Sequence, residues 1–331
     1  MRFGIHHFVG LVVNNKGMKK LFFWISTILL CLVFIYHWPV TRSNFDSIYI
    51  HVSPEERQSL LDFREKNPVT YIEVGGRKWE YIPLGKGKQT LVFLHGMTGA
   101  YDIWWQVLEP LSKHFRVISL TYPPVKSIES YANGIVAVLD TEKVEKAILV
   151  GTSLGGYLTQ YLLAYHSDRL QGMVLSNTFP PNEILNEKNR SLITLLPFLP
   201  KWLIMKGFCQ NFAEIQYPAS DHSETVLAYL NEQASGRMSK SQVTSRAKAV
   251  IQHFDLPSSE EISIPVLIVE SANDPLVDAT LREQLKAHYP NAHIYTFREA
   301  GHFPYINESQ TYYEILLRFL EEGFSEFDSK D

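Results

Sequence analysis

The strongest chemical signal in this 331-residue chain is Gly151-Thr152-Ser153-Leu154-Gly155-Gly156. It sits between an apolar run ending at Val150 and a stretch in which Leu154, Tyr157, Leu158, Tyr161 and Leu162 fall on one helical face. A Gly-x-Ser-x-Gly match alone is weak, but placement between a predicted strand and a predicted helix strengthens it. A strand-to-helix turn sharp enough to expose a serine brings its second neighbours into collision, so glycine is required there. The helix N-terminus behind Ser153 also aims N–H groups at developing negative charge. The implied chemistry is attack by Ser153 on an acyl carbon.

Serine is a poor nucleophile unless a histidine takes its proton and a carboxylate fixes that histidine's tautomer. Asp274 follows the predicted strand 266–269, and His302, in Gly301-His302-Phe303-Pro304, follows the predicted strand 294–297. The order Ser153, Asp274, His302 is the one expected for a nucleophile-elbow triad. Asp278 and Glu270 are rival candidates for the acid. His95-Gly96-Met97-Thr98-Gly99 follows the predicted strand 91–94. That loop and the residue after the nucleophile are where an oxyanion hole needs its donors, which assigns the backbone N–H groups of Met97 and Leu154. His95 is read as a turn residue, and His222 and His253 as surface or lid residues. Taken singly, Ser153 could belong to a glycine-rich helix start, Asp274 to a helix cap and His302 to a plain loop. Three such residues in order at three strand ends favour catalysis.

The elements that must hold these residues alternate. A hairpin is predicted over 71–74 and 78–81 around Gly75-Gly76. Strands at 91–94, 117–120, 147–150 and 173–175 alternate with helices at 103–115, 127–140 and 153–166. This is the pattern of an α/β fold with a parallel sheet covered on both faces. Alternation stops over about 183–260, a mostly helical insertion broken at Pro197, Pro200 and Pro218. It resumes with the strands before Asp274 and His302, a helix at 280–288 and a last helix at 308–322.

Together, His95-Gly96, the 151–156 turn, Asp274 and Gly301-His302 resemble the α/β-hydrolase superfamily over about residues 69–323. The resemblance implies an eight-stranded, mostly parallel sheet with the insertion as a lid. Within the superfamily the chain resembles the maspardin branch, through residues 151–156, Ser176-Asn177-Thr178-Phe179, Tyr289-Pro290-Asn291-Ala292 and Phe303-Pro304-Tyr305. That branch implies a binding protein with an impaired triad and no apolar N-terminal segment. Here His302 stands where a working enzyme needs it, so the non-catalytic role does not transfer with the resemblance.

Residues 21–38 are almost wholly apolar, and no Asp, Glu, Lys or Arg occurs over 21–41. Eighteen helical residues span about 27 Å, close to the roughly 30 Å bilayer core. Arg2, Lys16, Lys19 and Lys20 precede the run without an acidic residue, and mixed charges, including Arg42 and Arg57, follow it. The positive-inside rule then puts the N-terminus in the cytoplasm and the remainder outside it. A cleaved signal peptide is the alternative, but the run ends in Tyr36-His37-Trp38-Pro39 rather than in small residues. Large Leu30 before Cys31 argues against a lipid-modified cysteine, and the unbroken apolar run against a buried core helix. Met18-Lys19-Lys20 has the character of an alternative translation start. The expected division is a tip and anchor over 1–39, a linker or stalk over 40–68, and a hydrolase domain over 69–331.

Composition narrows the remaining choices. With 31 basic against 35 acidic residues the net charge is −4, which argues against nucleic-acid binding. Two cysteines, Cys31 and Cys209, exclude a disulfide framework and a cysteine-based zinc site. No metal and no cofactor is expected. The reading is a membrane-anchored serine hydrolase that cleaves an ester, thioester or amide through an acyl-enzyme. Its partners are a small-molecule or lipid ester and the membrane. Serine at 153 argues against dehalogenase and epoxide-hydrolase chemistry, which use a carboxylate nucleophile. Leu192, Ile193, Leu195, Leu196, Phe198, Leu199, Trp202, Leu203 and Ile204 in the insertion suit an acyl pocket, contact with the membrane, or simple packing of lid on core. The alternatives are a maspardin-like binding or adaptor protein with a vestigial pocket, and a carrier of hydrophobic ligands.

Overall fold

The strands are β1 (Thr70–Val74), β2 (Arg77–Leu84), β3 (Thr90–Leu94), β4 (Arg116–Thr121), β5 (Ala147–Thr152), β6 (Leu170–Ser176), β7 (Val266–Ser271) and β8 (His293–Phe297). They form one eight-stranded sheet in the order β1-β2-β4-β3-β5-β6-β7-β8. The computed structural model describes residues 15–40 and 43–322. Residues 1–14 with Arg2, residues 41–42 with Arg42, residues 323–331 and the side chain of Lys16 lie outside the described residues. The β1–β2 and β2–β4 pairs are antiparallel and the other pairs parallel, so the sheet is mixed but mostly parallel.

Every residue of β3, β5 and β7 is buried, as uninterrupted apolar runs require when helices cover both faces. Side chains alternate between two cores. Phe93, Val150, Val174 and Val269 face one core with helices Pro54–Lys66, Trp105–Leu111 and Ser309–Glu322. Val92, Leu149, Leu175 and Ile268 face the other with helices Ile128–Thr141, Leu154–Tyr165 and Ala279–His288. Leu94 pairs with Gly151, Gly151 with Leu175, Leu175 with Ile268 and Ile268 with Ile294. This register brings the carboxyl ends of five parallel strands to one edge, where α/β sheets place their ligands.

The insertion is helical over Glu183–Leu195, Lys201–Asn211, Glu224–Glu232 and Lys240–Ala249. Asn182 and Ser223 cap the first and third by accepting from Leu185 N and Val226 N, and Ser239 with Gln242 forms a capping box on the last. The predicted helix at 103–115 is shorter, Trp105–Leu111, with Pro110 in its last turn.

The linker expected over 40–68 is, in its described part, a packed element. Helix Pro54–Lys66, capped by Ser53, buries Leu60 and Phe63, and Tyr49 and Val52 just before it are also buried. Arg64 pairs with buried Asp102 at 2.7 Å and with Glu232 of the insertion at 2.8 Å. Asp102 also meets Arg237 at 2.7 Å and accepts from Tyr229 Oη at 2.7 Å. Burial by itself raises the proton affinity of Asp102. The Arg237 and Arg64 guanidiniums outweigh it and hold the carboxyl well below the usual carboxylate range. The reason sequence periodicity misses this packing is that the helix presents only a narrow apolar stripe among many charges.

Helix Asn15–Tyr36 carries the apolar N-terminal run. Its residues Gly17–Tyr36 have a mean hydropathy of 2.0, and none of this window is buried against the rest of the protein. The helix is therefore long and apolar enough to cross a membrane.

Candidate active site

Ser153 stands between β5 and helix Leu154–Tyr165 with φ 53° and ψ −120°. A non-glycine residue held at positive φ costs on the order of 1–3 kcal/mol, and such strain concentrates at functional sites. The turn is fixed from both sides. Ser153 N donates to Ser176 O at 3.0 Å, while its carbonyl accepts from Thr178 Oγ1 at 2.7 Å and Tyr157 N at 3.0 Å. A Cβ on Gly155 would lie 1.8 Å from Leu94 O, and one on Gly151 2.4 Å from Gly155 O. The two glycines thus let the turn close against β3.

His302 comes from the loop after β8, where Gly301 adopts φ +62°. Its Nδ1 lies 2.8 Å from Asp274 Oδ2 and 3.0 Å from Oδ1. Both side chains are buried. A carboxylate only accepts, so the imidazole proton sits on Nδ1, leaving Nε2 free to accept. Asp274 Oδ1 also accepts from Leu276 N at 2.8 Å and Val277 N at 3.2 Å, which fixes the carboxylate plane. Ser153 and His302 line one cavity together with Gly96, Met97 and Leu154. Among the described residues no direct hydrogen bond joins the Ser153 hydroxyl to His302.

The cavity measures about 560 Å³. Its polar end holds Ser153, His302 and the 96–99 loop. The rest is walled by apolar lid residues, including Leu192, Leu196, Leu199, Ile204, Phe208 and Phe212. A mostly apolar cavity with a few convergent polar groups is the usual form of a small-molecule site.

A family model described as the alpha/beta hydrolase fold matches residues 89–309. The chain belongs to the α/β-hydrolase family. Maspardin of Danio rerio is 26% identical over 234 residues, which cover 69% of this chain and 74% of that protein. The pimeloyl-[acyl-carrier protein] methyl ester esterase of Proteus mirabilis is 25% identical over 265 residues, 72% of this chain and 95% of the esterase. Among solved structures, a hydrolase from Pseudomonas aeruginosa superposes with a TM-score of 0.66 at 20% identity, covering 76% of this chain and 98% of that one. The enol-lactonase from Burkholderia xenovorans gives a TM-score of 0.64 at 21% identity, covering 76% and 100%.

In this α/β hydrolase the rival residues are engaged elsewhere. Asp278 caps helix Ala279–His288 by accepting from Leu281 N. Glu270 binds Lys286 at 3.1 Å and Thr296 Oγ1 at 2.9 Å. His95 is fully buried; its Nδ1 donates to Gly96 O at 2.7 Å and its ring packs on Tyr122. Burial, with Arg246 nearby, pushes its pKa well down, which keeps it neutral. His253 is more than half exposed beside Asp255, and His222 packs on Tyr217 within the lid.

Three residues beyond the sequence-predicted set support the hydrolase site. Asn177, at φ 43° after β6, donates through Nδ2 to Asp274 Oδ2 at 2.8 Å and Gly301 O at 3.1 Å. Asn273 accepts from Gly301 N at 2.9 Å and donates to the lid at Ala219 O, 2.8 Å. Arg246, on the last lid helix and fully buried, donates from Nη1 to Met97 O at 2.7 Å and Gly99 O at 3.2 Å, and from Nη2 to Tyr122 O at 3.3 Å. The only sequence signal for Asn177 was its place in Ser176-Asn177-Thr178-Phe179. Arg246 looks like one more exposed helical cation.

Proposed function

We propose that this protein is a membrane-anchored serine hydrolase that cleaves a carboxylic ester, thioester or amide with a hydrophobic acyl part. The observation that carries the reading is that His302, bonded through Nδ1 to Asp274, lines the same apolar cavity as a serine held at positive φ. In the reaction, Ser153 Oγ bonds to the acyl carbon while its proton passes to His302 Nε2. Asp274 stabilises the resulting imidazolium. The N–H groups of Met97 and Leu154 receive the oxyanion. His302 then gives the proton to the leaving group, and water, activated by the same imidazole, releases the acid from Ser153. The apolar Gly17–Tyr36 helix supports anchoring, with the N-terminus cytoplasmic and the hydrolase domain on the far side. A cleaved signal peptide is the competing fate of that helix, distinguished by the mass of the mature protein and its resistance to alkaline extraction.

The missing Ser153–His302 hydrogen bond is what a non-catalytic, ligand-binding role would have in its favour. Unliganded sites often show such bonds long or misaligned, so the geometry is compatible with activity. Labelling with a fluorophosphonate separates the two: wild-type protein should label and Ser153→Ala should not. A folded wild type that stays unlabelled would rule out the hydrolase reading. For the acyl group, para-nitrophenyl esters of rising chain length should be cleaved with rising kcat/KM, and a preference for acetate would count against the apolar pocket.

A further inference from the structure

The lid carries apolar side chains that do not pack on the core. Leu195 and Phe198 are 55% and 73% exposed and lie off the cavity wall. Leu192 and Leu203 line the cavity and are also exposed, by 55% and 41%, so they form its rim. Around them the chain has Lys188, Arg190, Lys201 and Lys206 and no acidic residue over 188–213. Exposed leucine and phenylalanine among lysines and arginine is the composition of a surface that lies on anionic lipid.

The position of this surface is tied to the apolar helix. Trp202 Nε1 donates to Ile35 O at 2.7 Å, and Lys240 Nζ donates to Tyr36 Oη at 2.8 Å. Trp202 adjoins Leu203 and follows Phe198 across the extended residues Leu199 and Pro200. With the Gly17–Tyr36 helix in a bilayer, its end at Ile35 and Tyr36 falls at the headgroup level. Trp202, Trp38 and Tyr36 then stand where amphipathic aromatics accumulate.

We propose that the lid over residues 192–203 is a second membrane-contacting surface. The lipid leaflet covers Leu195 and Phe198, and the cavity rim at Leu192 and Leu203 opens into it. The substrate is a lipid-borne acyl ester drawn from the bilayer. The substrate part of this inference rests on the hydrolase reading above; the surface does not.

The test uses the full chain in vesicles of phosphatidylcholine with a minority of phosphatidylglycerol. Leu195→Ser with Phe198→Ser should lower hydrolysis of vesicle-borne 4-methylumbelliferyl oleate about tenfold or more. Cleavage of soluble para-nitrophenyl butyrate should stay unchanged, since neither side chain lines the cavity. Equal oleate rates in both proteins would overturn the proposal. A second measurement needs no activity: nitrobenzoxadiazole attached at Phe198→Cys, in a Cys31→Ser and Cys209→Ser background. Its emission should shift to the blue and be quenched by nitroxide-bearing lipids. A label that remains in water overturns the membrane contact. A shift that follows protein density without lipid quenching assigns the patch to a second copy of the chain and also overturns it. If neither ester is cleaved while the label is embedded, the hydrolase reading and the lipid-borne substrate fail and the membrane surface stands.

Discussion

Asn177 Nδ2 lies 2.8 Å from Asp274 Oδ2, the oxygen that His302 Nδ1 also approaches to 2.8 Å. The amide thus fixes the carboxylate that fixes the imidazole, and its bond to Gly301 O holds the residue before His302 as well. Hydrogen bonds to charged groups contribute about 1.5–3 kcal/mol, so Asn177→Ala should lower kcat roughly 10- to 100-fold. KM should change little, because Asn177 does not line the cavity. Steady-state kinetics on a para-nitrophenyl ester would show this split; a change confined to KM would contradict it.

Arg246 clamps the lid to the loop that carries the Met97 N–H. Arg246→Met leaves the carbonyls of Met97, Gly99 and Tyr122 without those donors. The expected result is a fall in kcat of about tenfold or more together with a lower Tm, from lost charge-assisted hydrogen bonds. Arg246→Lys should restore part of each, since one ammonium cannot span all three acceptors.

The closeness of β3 to the turn at Ser153 makes a purely steric prediction. A methyl group at position 155 would overlap Leu94 O at 1.8 Å, and its nearest neighbours at Leu94 and His95 are all backbone atoms, so nothing flexible can yield. Gly155→Ala should destabilise the fold by about 3 kcal/mol or more, at or beyond the upper end of overpacking costs. Circular dichroism melting against wild type would detect it; an unchanged Tm would refute the close approach.

Asp102→Asn should cost about 3–5 kcal/mol, because it leaves the Arg64 and Arg237 guanidiniums facing each other with Glu232 alone. The native carboxyl is depressed, so its contribution is complete above the unfolded value of roughly 3.9 and is lost as pH falls from there through the native value. Chemical denaturation should give a constant wild-type-to-variant gap above about pH 4, narrowing below it.

The sequence made the strand ends legible because buried parallel strands are short, unbroken apolar runs, and the glycines around Ser153 mark a turn few other residues tolerate. Ser153, Asp274 and His302 each follow one of those strand ends, and the fold brings all three to one edge of the sheet. Asn177 and Arg246 were not legible in this way, since each acts through a partner far along the chain and neither residue type announces it. Residues 45–66 misled for a related reason. Their charges suggest a solvated stalk, yet Arg64 serves a carboxylate 38 residues on and another 168 residues on.

Those attachments of the Pro54–Lys66 helix also set where the chain can be trimmed. A form beginning at residue 69 would take Tyr49, Val52, Leu60 and Phe63 out of the core and strip Asp102 of one of its two arginines. A form beginning at residue 43 keeps all of them. Loss of the apolar helix would therefore cost the folded body the bonds of Trp202 to Ile35 and of Lys240 to Tyr36, while leaving the core contacts of residues 49–63 and the Arg64–Asp102 pair in place.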